Sequence, residues 1–80
     1  MSKLEIVDQA RQVIADLFGL ALGDVGPATV SRDIPDWDSI RHLDVVMALE
    51  QQFGLTFSPE EMAQLTTVPQ IVELVSSKAG

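Results

Sequence analysis

Four times in 80 residues the chain sets a helix-capping side chain just ahead of apolar residues spaced three and four apart. Ser2 stands three before Glu5, Asp38 or Ser39 precedes Ile40, Ser58 heads Pro59-Glu60-Glu61, and Thr67 heads Val68-Pro69-Gln70. A short polar side chain at such a position accepts from backbone N–H groups that the first helical turn leaves bare, and a Glu or Gln three residues on returns the bond. Proline fits the first turn because its missing N–H has no partner there anyway. The punctuation predicts four helices. No segment alternates polar and apolar residues long enough to predict a strand, so the fold class is all-α.

The apolar spacing fills in each helix. Leu4, Val7, Ala10, Val13, Ile14, Leu17 and Phe18 make the inner face of the first, which stops at Gly19. Ile40, Leu43, Val46, Met47, Leu49 and Phe53 mark the second, which stops at Gly54. The third is short, ending near Leu65, and the last turns Ile71, Val72, Leu74 and Val75 inward. Between the first two helices, residues 19–38 carry Gly19, Gly23, Gly26, Pro27 and Pro35 without a sustained period, which predicts a long loop. Loops of this length in compact domains tend to be functional. Leu20, Leu22, Val25, Val30 and Ile34 are expected to anchor it on the helices.

Size and charge narrow the function. Residues 1–80 suffice for one domain with little interior to spare for an enzyme cleft. At 46% hydrophobic and 21% charged the composition is that of a globular chain. The net charge of −7 has the wrong sign for a phosphate backbone, which argues against nucleic acid. Between Asp33 and Glu61 stand seven acids and one base, Arg41, so nearly all of that charge is concentrated there. There is no cysteine, hence no disulfide and no cysteine-ligated zinc. Charged residues interrupt the N-terminus too early for a secretory leader, and no apolar run approaches a membrane span. A cytoplasmic, membrane-free protein is expected.

Chemical motifs are sparse. The only histidine, His42, lies three residues beyond Ser39, but nothing marks an oxyanion hole or nucleophile elbow, so it is read as a surface or boundary residue. A calcium loop begun at Asp36 would put Arg41 where glycine is required and Met47 where a bidentate Glu belongs. Zinc-ligand spacing, a P-loop and a dinucleotide fingerprint are all missing. What remains is Asp36-Trp37-Asp38-Ser39-Ile40, a hydroxyl flanked by acids and an aromatic where the long loop meets a helix.

From Asp33 to about Val75 the chain resembles the acyl carrier proteins. Asp38-Ser39-Ile40 is similar to their Asp-Ser-Leu attachment signature, Val45 to Gly54 to their second helix, and Ser58-Pro59-Glu60-Glu61 and Thr66-Thr67-Val68 to the starts of their third and fourth. The resemblance implies a four-helix bundle with a long first loop and a short third helix. It also implies covalent 4′-phosphopantetheine on Ser39, delivered from coenzyme A by a phosphopantetheinyl transferase, so that the arm supplies the thiol the chain lacks. An acyl cavity would be lined by Leu43, Val46, Leu49, Phe53, Leu65 and Ile71. Acyl-loading and acyl-transferring enzymes with basic surfaces would dock on Asp36, Asp38, Ile40, Asp44, Met47 and Glu50 of a monomer without catalytic activity of its own. Arg41 and His42 directly after the signature, and Trp37 before it, resemble free-standing carriers of specialised pathways such as polyketide assembly rather than those of primary fatty-acid synthesis. Two rivals stand beside this reading: an aminoacyl or peptidyl carrier, and an unmodified acidic helical adaptor.

Overall fold

A computed structural model of the chain describes residues 2–79. Helix α1 spans Lys3–Phe18, α2 Ser39–Phe53, α3 Pro59–Gln64 and α4 Val68–Ala79. No strand occurs among the described residues; Val30 and Thr67 form one isolated antiparallel bridge. The caps fall where the sequence puts them. Ser2 Oγ accepts from Glu5 N–H at 3.2 Å, Ser58 Oγ from Glu61 N–H at 3.2 Å and Thr67 Oγ1 from Gln70 N–H at 3.0 Å. At α2 the choice is resolved: Asp38 Oδ1 accepts from Arg41 N–H at 2.9 Å, which makes Ser39 the first helical residue. Gly19 and Gly54 close α1 and α2 at φ 66° and 65°, a left-handed conformation a side chain would strain.

Helix α1 packs on both α2 and α4. Their buried residues, Ile6, Ala10 and Ile14 from α1, Val45, Val46 and Leu49 from α2, and Val68, Ile71 and Val75 from α4, share one core with Val25, Ile34, Phe57 and Leu65. Three expectations are corrected. Leu4 is exposed, because at about 100° per residue it stands roughly 200° around α1 from Ile6. Leu43 is 58% exposed and faces outward, so it does not line the core. Helix α2 carries two apolar stripes, 40-43-47 and 45-49-53, and packing on α1 selects the second. The Leu22 side chain is exposed, so its expected apolar anchoring of the loop is not seen. Phe57, among the largest fully buried side chains, belongs to no periodic run and escapes a reading based on spacing.

The long loop is ordered by backbone pairing rather than left without structure. It contains two single 3₁₀ turns, Leu22–Asp24 and Ser31–Asp33. Arg11 of α1 donates through Nε to Val25 O and through Nη2 to Leu22 O, the latter at 3.1 Å. Further on, Ser31 N–H donates to Thr66 O at 2.7 Å and Val68 N–H to Thr29 O at 2.8 Å, stitching the loop to the junction of α3 and α4. Polar backbone drawn against a core needs such partners.

Candidate functional site

The segment leading into α2 is held from below by Trp37. Its indole is buried with the ring centroid 5.6 Å from that of Phe18, and its backbone N–H donates to Ile34 O at 3.0 Å. The next two residues emerge into solvent. Asp38 takes extended backbone, spends one carboxylate oxygen on Arg41 N–H, and leaves Ser39 exposed on the opening turn of α2. Beside it lies an open groove of about 380 Å³ lined by Ser31, Trp37, Asp38, Ser39, His42 and Thr66. The hydroxyl expected to carry the chemistry is thus accessible, at the positive end of a helix dipole.

His42 is not positioned to activate that hydroxyl. Its Nδ1 accepts from Trp37 Nε1–H at 3.0 Å and its Nε2 bonds Met62 O of α3 at 2.7 Å, so both ring nitrogens are engaged elsewhere. A nucleophile–base pair needs one of them free. Spacing alone puts His42 at the boundary and Trp37 in the loop without joining them. The available signal was a lone His one turn inside the helix and a lone Trp just before its cap.

Arg41, the single base of the acidic stretch, folds back rather than outward. Its guanidinium lies 5.4 Å from the Phe18 ring centroid, reaches Leu17 O at 3.5 Å and pairs with Asp44 at 3.7 Å. It thereby brings positive charge to the last turn of α1, which has no basic residue of its own. Asp36 and Asp38 remain exposed, and Asp44 is half-buried. Glu50 also has a structural duty: its carboxylate accepts from Phe57 N–H at 2.9 Å and ties the turn after α2. On α3, Glu61 is held below the ordinary carboxylate range, first by the Ser58 N–H it accepts at 2.8 Å and then by Lys78 of α4 at 3.0 Å.

Between these acids the outer stripe of α2 stands clear of the bundle. Ile40 is 75% exposed, Leu43 58% and Met47 57%, in one row at positions i, i+3 and i+7. Of the residues expected to line a cavity, Val46, Leu49, Leu65 and Ile71 are buried, Phe53 is half-buried against them, and Leu43 instead joins the outer row. Among the described residues no group of three or more His, Asp or Glu side chains is arranged to hold a metal, and no helix is long and apolar enough to cross a membrane.

The phosphopantetheine attachment site family matches residues 8–75. An acyl carrier protein of Petrotoga mobilis is 32% identical over 78 residues, covering 98% of this chain and 92% of that one. The chain belongs to the acyl carrier protein family. The acyl carrier protein of Rubrobacter xylanophilus is 31% identical over 94% of this chain and 93% of its own. The polyketide-8 synthase acyl carrier protein 2 of Streptomyces avermitilis is 27% identical over 91% and 84%. Acyl carrier proteins are carriers rather than catalysts and work with a phosphopantetheinyl transferase and acyl-handling enzymes; the family's group is covalent 4′-phosphopantetheine. The residues of this carrier fit that group, for an exposed hydroxyl opens onto a groove at a helix start and the protein offers no cysteine to compete with the arm's thiol.

Proposed function

We propose that Ser39 carries the phosphopantetheine arm and that the chain holds acyl intermediates on it as thioesters for successive enzymes. The observation that carries the reading is an exposed serine on the first turn of α2, capped by its neighbour Asp38 rather than by itself, so its own hydroxyl is left for chemistry. Loading forms an Oγ–P bond and breaks the pyrophosphate link of coenzyme A. Adenosine 3′,5′-bisphosphate leaves, and the hydroxyl proton passes to a base of the transferase, because His42 has no nitrogen to offer. The thiol at the end of the arm then supplies the thioester chemistry.

The docking face follows from α2. The apolar row Ile40, Leu43 and Met47, bordered by Asp36, Asp38 and Asp44, suits a partner with an apolar depression rimmed by Lys and Arg. Glu50 contributes charge at its edge while holding the turn. The core around Val46, Leu49, Phe53, Leu65 and Ile71 is the apolar interior that would receive an acyl chain. Arg41, His42 and Trp37, together with the likeness to a polyketide carrier, favour a carrier serving a specialised pathway.

Intact mass after incubation with coenzyme A and a phosphopantetheinyl transferase tests the assignment. One phosphopantetheinyl group is expected on the native chain and none on Ser39→Ala; modification of that variant, or of neither chain, would overturn it.

A further inference from the structure

His42 joins three elements. It sits on α2 one turn past Ser39, accepts at Nδ1 from Trp37 at the end of the loop, and bonds through Nε2 to Met62 O of α3. The indole nitrogen only donates and the carbonyl only accepts, so both bonds fit a single arrangement: a neutral ring with Nδ1 bare and the proton on Nε2. A second proton would leave the Met62 bond in place, now charge-assisted, and would set one N–H against another at Trp37. Charging the ring therefore releases Trp37 and keeps α3. From Trp37 the chain runs through Asp38 directly to Ser39.

We infer that His42 is a positioning residue for the loading of Ser39: its neutral ring is a catch that keeps Trp37, and with it the approach to α2, seated on the bundle. The inference rests on Ser39 being the attachment point. The charged groups around the ring are committed elsewhere. From the loop, Asp38 shares the groove but spends Oδ1 on Arg41 N–H. On α2 itself, Arg41 turns to Leu17 and Phe18, and Asp44 pairs with it. On α3, the Glu61 carboxylate is held by Ser58 N–H and Lys78. Ser31 and Thr66 line the groove with neutral hydroxyls. Trp37, which bonds the ring and stacks on it with centroids 6.1 Å apart, is thus the neighbour that distinguishes its two states.

Trp37 is the only tryptophan, so its emission reports the catch without any modification. The unmodified protein is followed from about pH 8 to about pH 5, the range in which histidines change charge. His42→Gln keeps an amide donor for Met62 but does not titrate. The native chain is expected to show an emission transition that His42→Gln lacks. Loading by the transferase, read by intact mass over the same range and expressed as native relative to His42→Gln, cancels the enzyme's own pH dependence. That ratio is expected to fall roughly two- to tenfold toward acid, the scale of one lost hydrogen bond. Trp37→Phe keeps a ring but removes the opposing N–H, and its loading ratio is expected to stay flat. An unchanging native emission, or the same transition in His42→Gln, would overturn the catch. Superimposable loading profiles would overturn the positioning role. Failure of the native chain to load at any pH would instead remove the carrier reading beneath it.

Discussion

Asp38 and Ser39 divide two jobs that a sequence offers to either. Both are good caps, and spacing cannot separate adjacent candidates. The structure gives the cap to Asp38 through its bond to Arg41 N–H, and so leaves the hydroxyl next door free of a structural duty. Asp38→Ala is expected to lower stability by about 1 kcal/mol, the usual cost of a lost cap. Ser39→Ala is expected to stay within about 0.5 kcal/mol of the native chain, as an exposed substitution away from such a feature does. Urea denaturation of both variants checks the division, and equal losses would contradict it. The Asp38-Ser39-Ile40 signature was legible at this scale because it is contiguous. The Trp37–His42–Met62 bridge was not, since it depends on where a buried indole and the short α3 come to rest.

Helix caps, helix order and the brevity of α3 could all be read from residues close together in the chain, because such signals act within one turn. Which face of α2 turns inward could not, because two stripes compete and only contact with α1 decides between them. Nor could the order in the long loop, whose partners lie some thirty-five residues away at Thr66 and Val68. The short α3 keeps its place through the Ser58 capping box and the Glu61–Lys78 pair. Since the folded state holds the Glu61 carboxyl below its ordinary value, the ionised form is favoured by folding. The stabilisation is present above the ordinary carboxylate range and is lost as the pH falls through the lowered value. Glu61→Gln is expected to flatten the acid limb of the stability profile while retaining the box through its amide oxygen. Thermal unfolding from about pH 7 to about pH 3 measures this, and an unchanged limb would count against the pair.

Over the whole molecule, charge is distributed by region rather than evenly. Arg41, the one base between Asp33 and Glu61, is drawn back over Phe18, so the surface around Ser39 offers partners mainly negative charge. Encounter with a basic enzyme should then depend strongly on ionic strength. Reversing Asp44 to Lys is expected to slow loading by the transferase several-fold at low salt, with the difference shrinking toward about 1 M. Stopped-flow or timed mass measurements would show it, and equal rates at low salt would reject this docking face. The total charge announces such a surface. Its apolar centre became visible only when Leu43 proved to point outward beside Ile40 and Met47.

That outward row also bears on how the protein tolerates its own company. Three bare aliphatic side chains on one helix would ordinarily invite a second copy to cover them. Here such a pairing would bring one fence of carboxylates up against another, an arrangement that opposes self-association and suits a cationic surface. A single arrangement of side chains would then favour a basic stranger over a sibling.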